Sequence, residues 1–319
     1  MNLPTKFSAR AYRMDEPADK SHWNLLVRQS KNGSFLFYRE YMDYHRDRFA
    51  DCSLMIYKHN ELFALMPATL HGDTVISHGG LTYGGILSDR RMGVADMLDL
   101  FPLMLEHYHK LGARKLVYKP IPHVYHLAPA EEDLYALFLN HARLTGRAPS
   151  AAIDLSIDTA PGKKFNGAKK AQRLGLTLRR TDEPGPLMQQ IDRNLLIRHN
   201  VHAVHAVHEI QLLMRTFPSE IEAYEVINGE GILLAGAIIY VTARLAHAQY
   251  LVVNETGRSL RAMDLLVTAL MEIYRDRCRF FEFGISSDAL GDHFNAGLMD
   301  QKESFNASTV CYDRYELNL

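Results

Sequence analysis

Ala246–Phe305, AHAQYLVVNETGRSLRAMDLLVTALMEIYRDRCRFFEFGISSDALGDHFNAGLMDQKESF, is the stretch on which the reading of the chain turns. An apolar strand pattern, AHAQYLVV, gives way to a short polar turn. Apolar residues then recur every three or four positions through MDLLVTALMEIY, before a second strand pattern, FFEFGI. A polar loop and a further helical segment, NAGLMDQKESF, close the stretch. In that order the turn lies at a helix N-terminus, where unpaired backbone N–H groups and the helix dipole hold an anionic group such as a pyrophosphate. The residues placed to do so are Gly257, Arg258, Ser259 and Arg261. Strand, turn, helix, strand is common to many α/β folds, so the rest of the chain has to choose.

Immediately upstream, IEAYEVINGEGILLAGAIIYVT reads as two strands joined by the turn NGEG. The same order of elements occurs earlier. SLMIYKHNELFALMPATL is a hairpin turning at KHNE, and SHGGLTYGG is the further strand. MGVADMLDLFPLMLEHYHKLGA is an amphipathic helix with Pro102 inside its pattern, and RKLVYKP is the closing strand. LEHYHK stands against MEIYRD and KLVYKP against FFEFGI. Two copies of one unit predict an α+β chain of mixed sheets in two tandem domains, 1–150 and 151–319, the second carrying the donor site. The boundary falls in TGRAPSAAIDLSIDTAPGKKFNG, rich in small residues, proline and glycine.

With 319 residues, 47% of them hydrophobic and 23% charged, the chain has material for two cores. A net charge of −1 argues against a nucleic-acid backbone or an anionic membrane surface as the main partner, since both demand a large basic excess. Cys52, Cys278 and Cys311 stand too far apart for a disulfide framework or a cysteine zinc site, and no window approaches a membrane span. A cytoplasmic protein is expected.

Four local features carry both a structural and a functional reading. The aromatic run FLFYREYMDYHRDRF has helical spacing and suits a packed face or the wall of a cleft. Gly79, Gly80, Gly84 and Gly85 leave little side chain around His78 and Tyr83, as at a strand end or a binding loop. Seven lysines and arginines between Lys163 and Arg180, with no acidic residue among them, form a solvated face or an anion-facing patch. In LMQQIDRNLLIRHNVHAVHAVHEIQLLMRTFP, His202, His205 and His208 fan too widely on a helix for one metal centre. A single histidine in a cleft, His199 or His205, suits the pattern better.

SFLFYREYMDYHRDRF, SHGGLTYGG, YKPIPHVYHLAPAEEDLYALF, HAVHEIQLLMRTFP, FFEFGISS and FNAGLMDQKESF together resemble the FemAB-like branch of the GNAT acyltransferase superfamily, which carries tandem GNAT domains. The resemblance runs from about Phe35 to the C-terminus. It implies two mixed sheets with flanking helices and transfer of an acyl or aminoacyl group to an amine. The implied donor is acyl-CoA or, as in the peptidoglycan-bridge enzymes, an aminoacyl-tRNA. The superfamily's pyrophosphate loop, Gln/Arg-x-x-Gly-x-Gly/Ala, meets TGRSLRAM here, with Leu260 or Arg261 at the key glycine. Its Tyr-x-Lys-x-Gly-Phe segment meets Asp300, Lys302, Ser304 and Phe305, so the lysine is kept and the tyrosine is not.

An amine attacking an ester or thioester must lose a proton, and the oxyanion it creates needs a donor or a cation. The resemblance makes Lys302 the cation. Glu282, among the aromatic residues of FFEFG, is the candidate proton acceptor, although strand alternation equally allows it to face away. His78, Tyr83, Lys119, His123, His199, His205, Asn295 and Gln301 are the candidate acceptor contacts. Three readings stand: an acyl-CoA or aminoacyl N-transferase, a tRNA-dependent transferase acting on a cell-wall-precursor amine, or a catalytically degenerate tandem-GNAT binding protein. None needs a metal.

Overall fold

A computed structural model of the chain describes residues 6–157 and 163–319. The described residues form two compact units, 6–149 with 287–294 and 310–319, and 150–157 and 163–286 with 295–309. The sequence placed one boundary near Ser150. The structure, in addition, returns residues 287–294 and the C-terminal ten residues to the first unit.

The first unit holds β1 (Phe7–Ala11), α1 (Pro17–Gln29), α2 (Arg39–Asp43), β2 (Ala50–Asp51), β3 (Leu54–Lys58), β4 (Glu61–Met66), β5 (Ala68–His71), β6 (Thr74–Ser77), β7 (Leu87–Ser88), α3 (Val94–Lys110), β8 (Lys115–Tyr118), α4 (Glu132–Leu139) and the start of β9 (Arg143–Asp154). The expected hairpin joins β3 to β4, with His59 and Asn60 both left-handed at φ 49° and 67°, the conformation a two-residue I′ turn demands. The further strand is β6, which ends at Ser77, so SHGGLTYGG is not the strand the pattern suggested. His78 is already left-handed at φ 54°, and the glycines after it run as irregular chain. A Cβ at Gly80 would lie 2.5 Å from His45 Nε2 and one at Gly84 2.5 Å from Ser77 O, so close approach explains these glycines. α3 buries Met97, Leu100, Phe101, Met104 and Tyr108, a three-four spacing, against Leu54, Ile56, Met66 and Leu116.

The second unit holds the end of β9, α5 (Lys163–Arg173), β10 (Thr177–Thr181), α6 (Gly185–His199), α7 (Val207–Thr216), β11 (Ile221–Ile227), β12 (Leu233–Val241), β13 (Leu245–Val253), α8 (Glu255–Ser259), α9 (Ala262–Tyr274), β14 (Phe280–Ile285), α10 (Ala296–Glu303) and the first residues of β15 (Ser308–Asn318). Its strand order is β10-β11-β12-β13-β14-β9. The histidine-rich stretch is not one helix. Asn200 is left-handed at φ 54° and closes α6, and α7 begins only at Val207, which leaves His202 and His205 on the connection between them.

The duplication is visible in topology. In the first unit β6 pairs parallel with β8 across α3; in the second β13 pairs parallel with β14 across α9. α9 buries Leu265, Leu266, Leu270 and Tyr274 against Ala237, Ala246, Phe281 and Phe283.

Candidate functional site

The β13–β14 pairing sets the geometry of the second unit. It consists of three rungs, Leu245 with Phe280, Ala246 with Phe281 and His247 with Glu282. Beyond the last rung the strands part. β13 runs on to Val253 beside β12, and β14 turns toward Ser150 on β9. His247 and Glu282 therefore stand at a fork, where one edge of β13 leaves its parallel partner.

Glu282 points inward and is fully buried. It accepts from Ser150 Oγ and, at 2.9 Å, from the Gly284 amide, and it pairs with His247 Nδ1. Burial pushes its carboxyl up, but the histidine and these donors outweigh that and hold it below the usual carboxylate range. The strand-alternation question is thus decided in favour of the interior. As a buried, fully engaged carboxylate, Glu282 is not the surface that meets a substrate.

Gly284, at φ +79°, turns the chain so that the carbonyls of Gly284 and Ile285 and the hydroxyl of Ser286 converge on one point. Lys302 from α10 occupies it. Its Nζ donates to Gly284 O at 2.7 Å, Ile285 O at 2.9 Å and Ser286 Oγ at 2.8 Å, which uses all three donors of an ammonium group. Burial lowers its pKa to about 8, against a smaller upward pull from Glu282. Asn295 braces the same turn: its amide donates to Ser286 O at 2.8 Å, and its side chain caps α10 by accepting from Leu298 N. Glu282, Lys302 and Asn295 are thereby brought together.

Other candidates lie elsewhere. Gln301 is exposed on α10. His205 is buried, its Nδ1 2.8 Å from Tyr250 Oη. His199 is the last residue of α6, and its side chain lies outside the described ones. His78, Tyr83, Lys119 and His123 belong to the first unit. There Lys119 Nζ donates to the carbonyls of His78 and Leu81, and burial, with Arg314, lowers its pKa to about 8. Tyr83 packs in an aromatic group with Phe37, Tyr125 and Tyr312. His78 is buried beside a small cavity of about 20 Å³, room for one water, lined also by Asp43, His45, Asp51 and Thr69. His123 is exposed.

The turn expected to hold an anion has a different construction. Residues 255–259 are wound into α8, and the Gly257 amide is taken by Asn254 Oδ1 at 2.7 Å. A Cβ on Gly257 would lie 2.4 Å from Leu234 O, so packing on β12 accounts for the glycine. Arg261, left-handed at φ 64°, precedes α9, whose first turn carries the buried Asp264. Lys164 donates to Asp264 Oδ1 at 3.1 Å, and Arg261 lies 3.6 Å from Oδ2. The helix dipole at α9 is thus already met by a carboxylate, which Lys164 and Arg261 in turn engage. Arg258 and Ser259 are exposed on α8. These residues do not fit a CoA pyrophosphate. Asn254→Ala is expected to cost about 1 kcal/mol, as for a lost N-cap, read as a lowered urea midpoint at unchanged slope.

Sequence reasoning passed over His247, Ser150 and Ser286. A histidine between two alanines in an otherwise apolar strand start was the one available signal.

No protein-family model matches the chain, and no curated protein matches it. Solved structures do. The chain superposes on FemX with a TM-score of 0.67 at 10% identity, covering 96% of each chain. It superposes on L-PGS from Bacillus licheniformis with a TM-score of 0.62 at 13% identity, over 94% of this chain and 91% of that one. A tandem GNAT protein from the clavulanic acid biosynthesis pathway gives 0.51 at 13% identity, over 98% of both. The chain has the tandem-GNAT fold of FemAB-like proteins.

Proposed function

We propose that the chain transfers an acyl or aminoacyl group from an activated ester to an amine, at the fork between β13 and β14. The observation that carries this reading is a buried ammonium, Lys302, fixed on the Gly284–Ser286 turn beside a buried Glu282–His247 pair. Such a preorganised charge stabilises an oxyanion developing nearby without reorganising during the reaction. Past His247 the edge of β13 that leaves β14 suits an extended, amide-bearing donor, which gains main-chain hydrogen bonds there.

The Gly257 amide, already taken by Asn254, and the packing of Gly257 on Leu234 favour a donor other than CoA. An aminoacyl ester carried on tRNA fits the alternative that the resemblance implied, and a structural neighbour is described as the C-terminal domain of a putative lysylphosphatidylglycerol synthetase. Lys169, Lys170 and Arg173, exposed on α5, supply basic surface for such a carrier. Among the described residues no helix is long and apolar enough to cross a membrane. We place the reaction in the cytoplasm, with a small-molecule or cell-wall-precursor amine as acceptor.

The test is a pair of binding measurements followed by turnover. Millimolar acetyl-CoA is expected to leave the melting temperature unchanged. Filter binding of bulk aminoacylated tRNA is expected to weaken steeply between 50 and 200 mM salt. Transfer of radiolabelled amino acid to added amines is then expected. A melting shift of several degrees with acetyl-CoA would restore the thioester donor, and absence of transfer from either donor would sink the enzyme reading.

A further inference from the structure

We propose that His247 is the proton acceptor of this site and that Glu282 is its positioning residue. The inference rests on the transferase reading above. It starts from the register: the last parallel rung of β13 and β14 sets His247 opposite Glu282. Glu282 is sealed from solvent and spends one carboxylate oxygen on Ser150 and Gly284 and the other on His247 Nδ1. A carboxylate so engaged acts on a substrate only through another group. His247, with 21% of its side chain exposed, is the member of the pair that reaches the surface. Gly284 presents no side chain, and a Cβ built there would sit 3.6 Å from His247 Cε1.

A carboxylate on Nδ1 fixes which nitrogen of the neutral ring carries the proton. It selects the Nδ1–H tautomer and leaves Nε2 as the nitrogen that takes the proton. Ser150 and the Gly284 amide, in turn, hold the carboxylate so that it cannot rotate away. Lys302 is fixed on the adjoining turn by Gly284 O, Ile285 O and Ser286 Oγ.

The step balances without a further reactant. The amine nitrogen attacks the donor carbonyl carbon, a C–N bond forms, and the carbonyl π pair moves onto oxygen. The proton on that nitrogen passes to Nε2 of His247. The oxyanion then collapses, breaks the bond from carbon to the leaving oxygen, and that oxygen takes the proton back from Nε2. Amine and ester become amide and alcohol, and both side chains return to their starting states.

The test uses the full chain. In a long-range ¹H–¹⁵N spectrum of histidine-labelled protein, with the His247 signals identified by their loss in His247→Gln, neutral His247 is expected as the Nδ1–H tautomer; an Nε2–H tautomer overturns the proposal. In transfer assays with bulk aminoacylated tRNA and added amines, His247→Gln is expected to lower kcat about 100-fold with KM changed less than threefold. Glu282→Gln should lower kcat by a smaller factor and disturb the tautomer. Glutamine at 247 keeps a hydrogen bond to Glu282, and an unchanged melting temperature checks folding. Full kcat in His247→Gln beside an active wild type defeats this inference alone, whereas an inactive wild type defeats the transferase reading and this role with it.

Discussion

Lys302→Ala is expected to reduce transfer by at least about 100-fold and to lower unfolding free energy by about 3–5 kcal/mol. Both effects come from one feature. The ammonium satisfies two backbone carbonyls and the Ser286 hydroxyl, all in a buried turn. Removing it strands those acceptors, and each buried group left unpaired costs about 1–3 kcal/mol. The relief of no longer burying a charge works in the opposite direction and is smaller than the sum of the three. Burial sets the direction of the pKa shift, and the three hydrogen bonds hold Lys302 on the turn.

The same shift makes the effect depend on pH, with a definite sign. Lys302 has a folded pKa of about 8, below the ordinary 10.5. Between those values the unfolded chain holds a proton that the folded chain has released, so this group adds stability as pH rises. The stability gap between wild type and Lys302→Ala is therefore expected to widen from pH 8 toward 10.5, by on the order of 3 kcal/mol at most. Urea melts of both proteins at pH 7, 8.5 and 9.5 measure it, and a constant gap would show that Lys302 keeps an ordinary pKa.

Glu222→Ala is expected to destabilise the second unit by about 3–5 kcal/mol, the cost of removing one partner of a buried ionic network. Glu222 on β11 is buried and accepts from Tyr274 Oη at 2.6 Å, Tyr224 Oη at 2.8 Å and the Arg277 guanidinium at 3.0 Å. Tyr274 is the last residue of α9 and is itself fully buried, so Glu222 ties the end of that helix to the sheet. Burial pushes the Glu222 carboxyl up, but Arg277 and the two tyrosines outweigh it and hold its pKa below the ordinary 4.5. Its contribution is thus complete above pH 4.5 and is lost as pH falls through the folded value. Glu222→Gln keeps an acceptor for the tyrosines and should cost roughly half as much, because Arg277 is 41% exposed and returns to water. A Glu222→Ala loss under about 1 kcal/mol in urea unfolding would mean that the network contributes nothing net.

Much of the fold was legible because it follows from local pattern. Leu265, Leu266, Leu270 and Tyr274 announce a helix with one buried face, and Lys58-His59-Asn60-Glu61 announces a turn that only left-handed residues close. The duplicated order of hairpin, strand, helix and strand was readable for the same reason. SHGGLTYGG misled because its glycines answer to neighbours distant in the chain, such as His45 beside Gly80. The single-helix reading of the histidine stretch failed at Asn200, where a left-handed cap ended a pattern whose apolar residues continued.

The candidate site was legible by halves. Lys302 followed from the resemblance and Glu282 from its place among aromatic residues, but what each one touches was not. Glu282 meets Ser150, 132 residues away, and His247, 35 residues away. Gly257 looked like a phosphate turn and is a packing contact with Leu234, while Asp264, unremarkable in sequence, closes the start of α9.

By itself, then, the sequence determined most of the elements, their duplicated order and the residue types available for proton and charge chemistry, because side-chain periodicity and turn propensity act over a few residues. Only the tertiary structure decided that Glu282 faces inward, that His247 is its partner at the fork of β13 and β14, and that Lys302 spends its donors on the Gly284 turn. Those are matters of strand register and burial, in which one residue of slip would carry Glu282 to the other face of the sheet.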